Sequence, residues 1–128
     1  MKELIEKAFE AREKAYAPYS KFKAGAAVLT DSGKIYTGCN VENASYPVGI
    51  CAERVAISKA VSDGETNFTA ISIVGSTDNF CMPCGMCRQF MSEFCKGSLK
   101  IISVKDTDNN KVFSLSELLP YTFDSSSL

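Results

Sequence analysis

The sequence predicts an α/β fold, a mixed sheet with helices packed on it, and three observations carry that expectation. Helical and strand-like periodicities follow one another along 128 residues in the order α-β-β-α-β-α-β-β. The turn Asp31-Ser32-Gly33 joins the first two strands into a hairpin. The run Phe68–Gly75 (FTAISIVG) is apolar almost throughout, as a strand covered on both faces requires.

Taken in order, Ile5, Ala8, Phe9 and Ala15 recur at helical spacing among charges and predict an amphipathic helix from Lys2 to Ala15, broken by Ala15-Tyr-Ala-Pro-Tyr-Ser20. Ala24–Thr30 and Lys34–Asn40 are the hairpin strands. A helix over Cys51–Val61 puts Val55, Ala56 and Ala60 on one side and stops at Asp63-Gly64. A further helix opens near Cys84, runs to Cys95 and closes at Lys96-Gly97. Strand Leu99–Lys105, a turn over Asp106–Asn110 and a short strand at Val112–Phe113 follow. Ser114–Leu118 is one more helical turn, and Ser125–Leu128 reads as a loose tail. With no internal repeat and no linker, residues 1–128 read as a single domain, long enough to bury a core without disulfides.

Composition narrows the function. Hydrophobic residues make up 45% and charged residues 23%, with a formal net charge of −1. Lys and Arg are scattered, so the basic stripe of a nucleic-acid binder is missing, and no nucleic-acid partner is expected. No apolar run reaches membrane-span length and the charged start MKELIEKAFEAREKAY is no signal peptide; the expectation is a cytoplasmic protein without a membrane partner. Six cysteines there are more readily used for metal or catalysis than for disulfides. The absence of histidine excludes Ser-His-Asp and Cys-His catalysis and HExxH zinc sites. Acid–base work then falls to a carboxylate, Lys, Tyr or Cys, and any zinc must be held mostly by thiolates.

Cys81-Met-Pro-Cys84-Gly-Met-Cys87 holds two overlapping CxxC spacings. An iron–sulfur cluster would want its next cysteine sooner than Cys95. A thiol–disulfide pair at Cys84 and Cys87 fits a helix start, but leaves the other thiols unexplained. A closed structural zinc site would need Cys81, Cys39 or Cys95 as fourth ligand. The remaining reading uses more residues: Cys51-Ala-Glu53 heads one helix and Pro83-Cys84-Gly-Met-Cys87 another, and this is similar to the zinc deaminase pattern with Cys in the first ligand position. Three ligands, Cys51, Cys84 and Cys87, leave a coordination position open for water, and Glu53 can face it. Three thiolates around Zn²⁺ carry a formal charge of −1, which two helix N-termini and Arg54 can offset.

The stretch Asn40-Val-Glu-Asn-Ala-Ser-Tyr-Pro-Val-Gly-Ile-Cys-Ala-Glu-Arg54 closely resembles the small homotetrameric cytidine deaminases. So do Ala17-Pro-Tyr-Ser20 with Phe22 and Gly25-Ala-Ala27, Pro83-Cys-Gly-Met-Cys-Arg-Gln89, and Leu118-Leu-Pro120 with Phe123. The resemblance implies a three-layer α-β-α fold around a mixed five-stranded sheet and one zinc ion per chain. It implies hydrolytic deamination of cytidine and 2′-deoxycytidine, in pyrimidine salvage, by metal-activated water attacking C4 while Glu53 shuttles protons. It places Asn40 and Glu42 on the ribose hydroxyls, Phe22 against the pyrimidine, and Tyr46 and Ala52 in the site. It also has Phe123 reach a neighbouring subunit's pocket within a homotetramer. Glu42 would accept bonds from hydroxyls but repel a phosphate, so free nucleosides are the expected partners. Met82 departs from the family, which often has a small polar residue there; Cys39 and Cys95 read as core thiols and Cys81 as a free thiol near the zinc. An antibiotic-nucleoside deaminase of the blasticidin type shares the metal pattern, but lacks the ribose motif at Asn40–Asn43.

Overall fold

The computed structural model describes residues 1–76, 78–95 and 97–128. A five-stranded sheet of order β2-β1-β3-β4-β5 comprises β1 (Gly25–Thr30), β2 (Ile35–Cys39), β3 (Phe68–Val74), β4 (Lys100–Val104) and β5 (Asn110–Ser114). Only β3 and β4 run parallel, and helix α3 (Gly85–Phe94) makes the crossover between them; the other pairings are antiparallel.

Period-two alternation divides the strands between two cores. Ala27, Ala70, Val74, Ile102 and Val104 face α1 (Lys2–Arg12), which buries Leu4, Ile5 and Ala8 on them. Ala26, Val28, Ile71, Ile73 and Ile101 face the opposite side, against Ala52, Ala56, Ile57 and Ala60 of α2 (Ala52–Ser62) and Cys87 and Met91 of α3. The predicted layers and strand number are both present. Ser72, buried in β3, donates to the Leu4 carbonyl at 2.7 Å, so this buried hydroxyl is satisfied.

Boundaries moved where distant pairing overrides local pattern. The first helix ends at Arg12 rather than Ala15, because Tyr16 bridges to Val41 and its N–H donates to the Asn40 carbonyl at 3.0 Å. Strand β5 is longer than Val112–Phe113, since Asn110 and Ser114 pair with Val104 and Lys100. Ser114 therefore ends the strand and caps α4 (Leu115–Leu118) through a capping box with Glu117. A short 3₁₀ turn at Tyr46–Val48 and another at Ser125–Ser127 were not predicted; the second is capped by Asp124, so the tail is a local turn with exposed side chains. Asp63-Gly64 stops α2 as expected: Gly64 takes φ +91°, and the Gly64 and Glu65 N–H groups reach back to Val61 and Ala60 in a Schellman motif. Of the stop predicted after α3, Lys96 lies outside the described residues, while Gly97 has φ +87°.

Helix α2 lies unusually close to the hairpin. A Cβ on Gly38 would stand 2.5 Å from both the Ala52 carbonyl and the Ala56 nitrogen, which are backbone atoms of α2. Gly38→Ala is therefore expected to push α2 off β2 and lower stability by about 3 kcal/mol. Urea denaturation checks it, and an unchanged midpoint would show that the helix can retreat freely.

Candidate metal centre

Cys51 and Cys84 are the N-cap residues of α2 and α3, both in extended backbone, and Cys87 sits in the first turn of α3. Neither cap side chain accepts from a backbone N–H of its own helix. The first-turn N–H groups and the positive helix ends therefore lie beside sulfur, where negative charge is favoured. The two helix starts bring all three sulfurs within 4.8 Å of one another; no further ligand joins this group among the described residues. Cys51 Sγ is 3.9 Å from Cys84 Sγ, which is 3.6 Å from Cys87 Sγ.

Those separations are a test of fit. Tetrahedral zinc with Zn–S bonds of about 2.3 Å requires sulfurs about 3.8 Å apart. The two distances bracket that value and the third pair lies within 4.8 Å, so the three sulfurs fit a zinc ion. Their proton demands agree. A hydrogen bond with Cys87 holds the Cys51 thiol down to about 5, while that same bond, together with burial, pushes Cys87 far up. Three sulfurs this close cannot all ionise unless a cation joins them. Arg54 supplies part of it: its Nη2 donates to Cys51 Sγ at 3.6 Å, and its buried Nε has no hydrogen-bond partner among the described residues.

Glu53, in the first turn of α2, is 5% exposed. Burial pushes its carboxyl pKa up, and the charge of Cys51 adds to this. The cysteines open onto a cavity of about 630 Å³ lined by Phe22, Asn40, Glu42, Tyr46, Ala52, Glu53 and Arg54, with Cys51 and Cys84. All but two of the expected site residues line this cavity. Cys87 is fully buried and joins the site through the sulfur cluster, and Phe123 stands on an arm outside its own chain's pocket, 61% exposed.

The polar side chains also work for the backbone. Asn40 Oδ1 accepts from Ala24 N–H at 2.8 Å and its Nδ2 donates to the Phe22 carbonyl at 2.7 Å, so Asn40 holds the segment that carries Phe22. Glu42 accepts from the Tyr19 and Ser20 N–H groups at 3.0 and 3.1 Å and from the Ser20 hydroxyl. The Ser20 hydroxyl is the main cause that lowers the Glu42 pKa. Ser20 and Cys81 also line the cavity; Ser20 belongs to the Ala17-Pro-Tyr-Ser20 motif, and its spacing from Glu42 carries no signal in the sequence. Cys81 is not among the three clustered thiols, and burial pushes it up to about 12, a protonated neighbour of the cavity. Cys95 is buried as expected. Cys39 is not a core thiol: it ends β2, half-buried, and β2 is the edge strand of the sheet among the described residues.

Residues 1–103 match the family described as the cytidine and deoxycytidylate deaminase zinc-binding region. The chain belongs to that family. It is 44% identical over 128 residues to a cytidine deaminase of Sporosarcina psychrophila, covering 100% of this chain and 94% of that one. A crystal structure of cytidine deaminase from Burkholderia pseudomallei superposes with a TM-score of 0.90 at 49% identity, over 94% of this chain and 97% of the other. The Mycobacterium tuberculosis cytidine deaminase follows with a TM-score of 0.83 at 38% identity, over 95% of each. The family makes the chain a zinc-dependent hydrolytic enzyme, and the cysteine cluster fits one zinc per chain. Neither the thiol–disulfide reading nor the antibiotic-nucleoside one accounts for these matches. Metal analysis of the purified chain should find about one zinc, and X-ray absorption should find three sulfurs and one lighter atom around it. Four sulfurs would bring Cys81 into the ligand set.

Proposed function

We propose that the chain hydrolyses cytidine and 2′-deoxycytidine to uridine and 2′-deoxyuridine, releasing ammonia. The convergence of three thiols with the buried Glu53 at one wall of the cavity carries this reading. Cys51, Cys84 and Cys87 hold the zinc ion, which when bound supplies a Lewis acid able to activate water near neutral pH. Glu53 accepts the proton of the attacking water and delivers it to ring N3 as the water oxygen adds to C4. Glu53 then takes the remaining proton from that oxygen and passes it to the amino group as ammonia departs. A carboxyl raised by burial suits both the taking and the giving of a proton.

Phe22 packs on the pyrimidine, held by the Asn40 amide, while Tyr46 and Ala52 complete the wall. Asn40 and Glu42 receive the ribose hydroxyls with the acceptor and donor capacity left over from their backbone bonds. A lowered pKa keeps Glu42 anionic, which disfavours a 5′-phosphate and supports a free nucleoside as substrate. Arg54 offsets the excess charge of the thiolates.

The whole chain works as one domain within a cytoplasmic homotetramer. Among the described residues no helix is long and apolar enough to cross a membrane. Tyr46, Val48, Met86, Tyr121 and Phe123 are 61–92% exposed, an apolar surface that subunit contact would cover. Phe123 then belongs to the pocket of a neighbour.

The ultraviolet change on adding cytidine or deoxycytidine tests the activity. A zinc-loaded chain that leaves both untouched overturns the proposal. Glu53→Gln should keep its zinc while kcat falls by about 10²–10⁴-fold, because the proton carrier alone is gone; near-normal turnover would reject that role. If sites are shared, mixing and reassembling Phe123→Ala with Glu53→Gln chains should restore activity above either variant alone. No recovery would place Phe123 in its own subunit's affairs.

A further inference from the structure

Two side chains that follow the ligand Cys87 gather three carbonyls from separate parts of the chain. Arg88 Nε donates to the Pro83 carbonyl at 2.9 Å, one residue before the ligand Cys84. The same guanidinium's Nη1 donates at 2.9 Å to the carbonyl of Leu118, the last residue of α4. Gln89 Nε2 donates at 2.9 Å to the Phe123 carbonyl. Pro83 is fully buried, and Leu118 and Leu119 pack against the α2–α3 core. Beyond them the chain turns outward, with Tyr121 92% exposed and Phe123 61% exposed.

A guanidinium is a rigid planar fork, so its two bonds fix where one carbonyl stands relative to the other. The Pro83 carbonyl belongs to the loop that aims Cys84; the Leu118 carbonyl belongs to the root of the C-terminal arm, residues 119–124. We propose that Arg88 is a positioning residue that couples the metal loop to this arm, so that zinc occupancy and order in the arm rise and fall together. Gln89 holds the far end of the arm and, among the described residues, its side chain has no bond to the metal loop. The inference rests on the reading of Cys51, Cys84 and Cys87 as the zinc ligands.

The assay follows zinc release to a colorimetric chelator, together with hydrogen exchange of the arm amides, on the full chain. Stripping zinc from the unmodified protein should speed exchange of residues 119–124 severalfold. Arg88→Gln should release zinc about tenfold faster or more, as loss of a group supporting a ligand does, and should loosen the arm while zinc is still bound. Gln89→Ala should loosen the arm and release zinc at the unmodified rate. Arg88→Lys, able to reach one carbonyl at a time, should fall between Arg88→Gln and the unmodified protein. A purely structural Arg88 would lower the melting temperature without this split between the two neighbours. Unchanged zinc release in Arg88→Gln, or an arm indifferent to zinc removal in the unmodified protein, overturns the coupling. The latter measurement needs no variant to fold. A purified chain that binds no zinc at all would instead overturn the metal reading itself.

Discussion

Three sulfurs held within 4.8 Å of one another is an arrangement that a folded chain must compensate, and the surrounding structure is organised by that need. Thiolates at this spacing repel strongly, so each sits where positive potential is already fixed: at the N-terminus of α2, at the N-terminus of α3, and under the Arg54 guanidinium. Both helix starts can arrive at one point only because of the sheet beneath them. Strand β3 and the crossover α3 feed the site from the carboxyl ends of the parallel pair, where α/β sheets commonly place ligands. Helix α2 arrives over the hairpin, and Gly38 sets how close it comes. Fold and site thus share one requirement, the approach of two helix ends.

The two carboxylates in the cavity show how environment divides labour. Glu53 is buried beside anionic sulfur, which favours its protonated form, while half-buried Glu42 is drawn toward its ionised form by the Ser20 hydroxyl and two N–H groups. The same functional group becomes a proton carrier in one place and a fixed hydrogen-bond acceptor in the other. Nothing in their own side chains distinguishes them; burial and neighbours do.

Much of this was legible in the residues, because it depends on local spacing. The Cys51-Ala-Glu53 and Pro83-Cys84-Gly-Met-Cys87 motifs are helix beginnings by pattern, and the absence of histidine leaves thiolates as the zinc donors. The nearly continuous apolar run Phe68–Gly75 foretold a strand covered on both faces. The rest depends on partners far along the chain. The end of α1 is decided by a bridge from Tyr16 to Val41, and the length of β5 by its register against β4. Cys39 looked like core by composition, yet it ends an edge strand, and no local pattern marks an edge. Asn40 is the subtlest case, since its amide bonds to Ala24 and Phe22 are invisible until the chain has folded back.

Arg54 and Arg88 extend the same point to function. Each follows a zinc ligand within one turn of its helix, though the sequence pointed only to Arg54 as a charge partner for the metal. The structure separates them. Arg54 bonds sulfur directly and acts through charge, whereas the Arg88 guanidinium bonds the backbone carbonyls of Pro83 and Leu118 and acts through shape. A cation that bonds only neutral carbonyls contributes little to thiolate charge balance by that contact; what its planar fork contributes is a fixed distance between the loop before Cys84 and the end of α4. The metal ligands are thereby tied to a surface arm whose exposed aromatics, Tyr121 and Phe123, have no burial of their own to hold them in place.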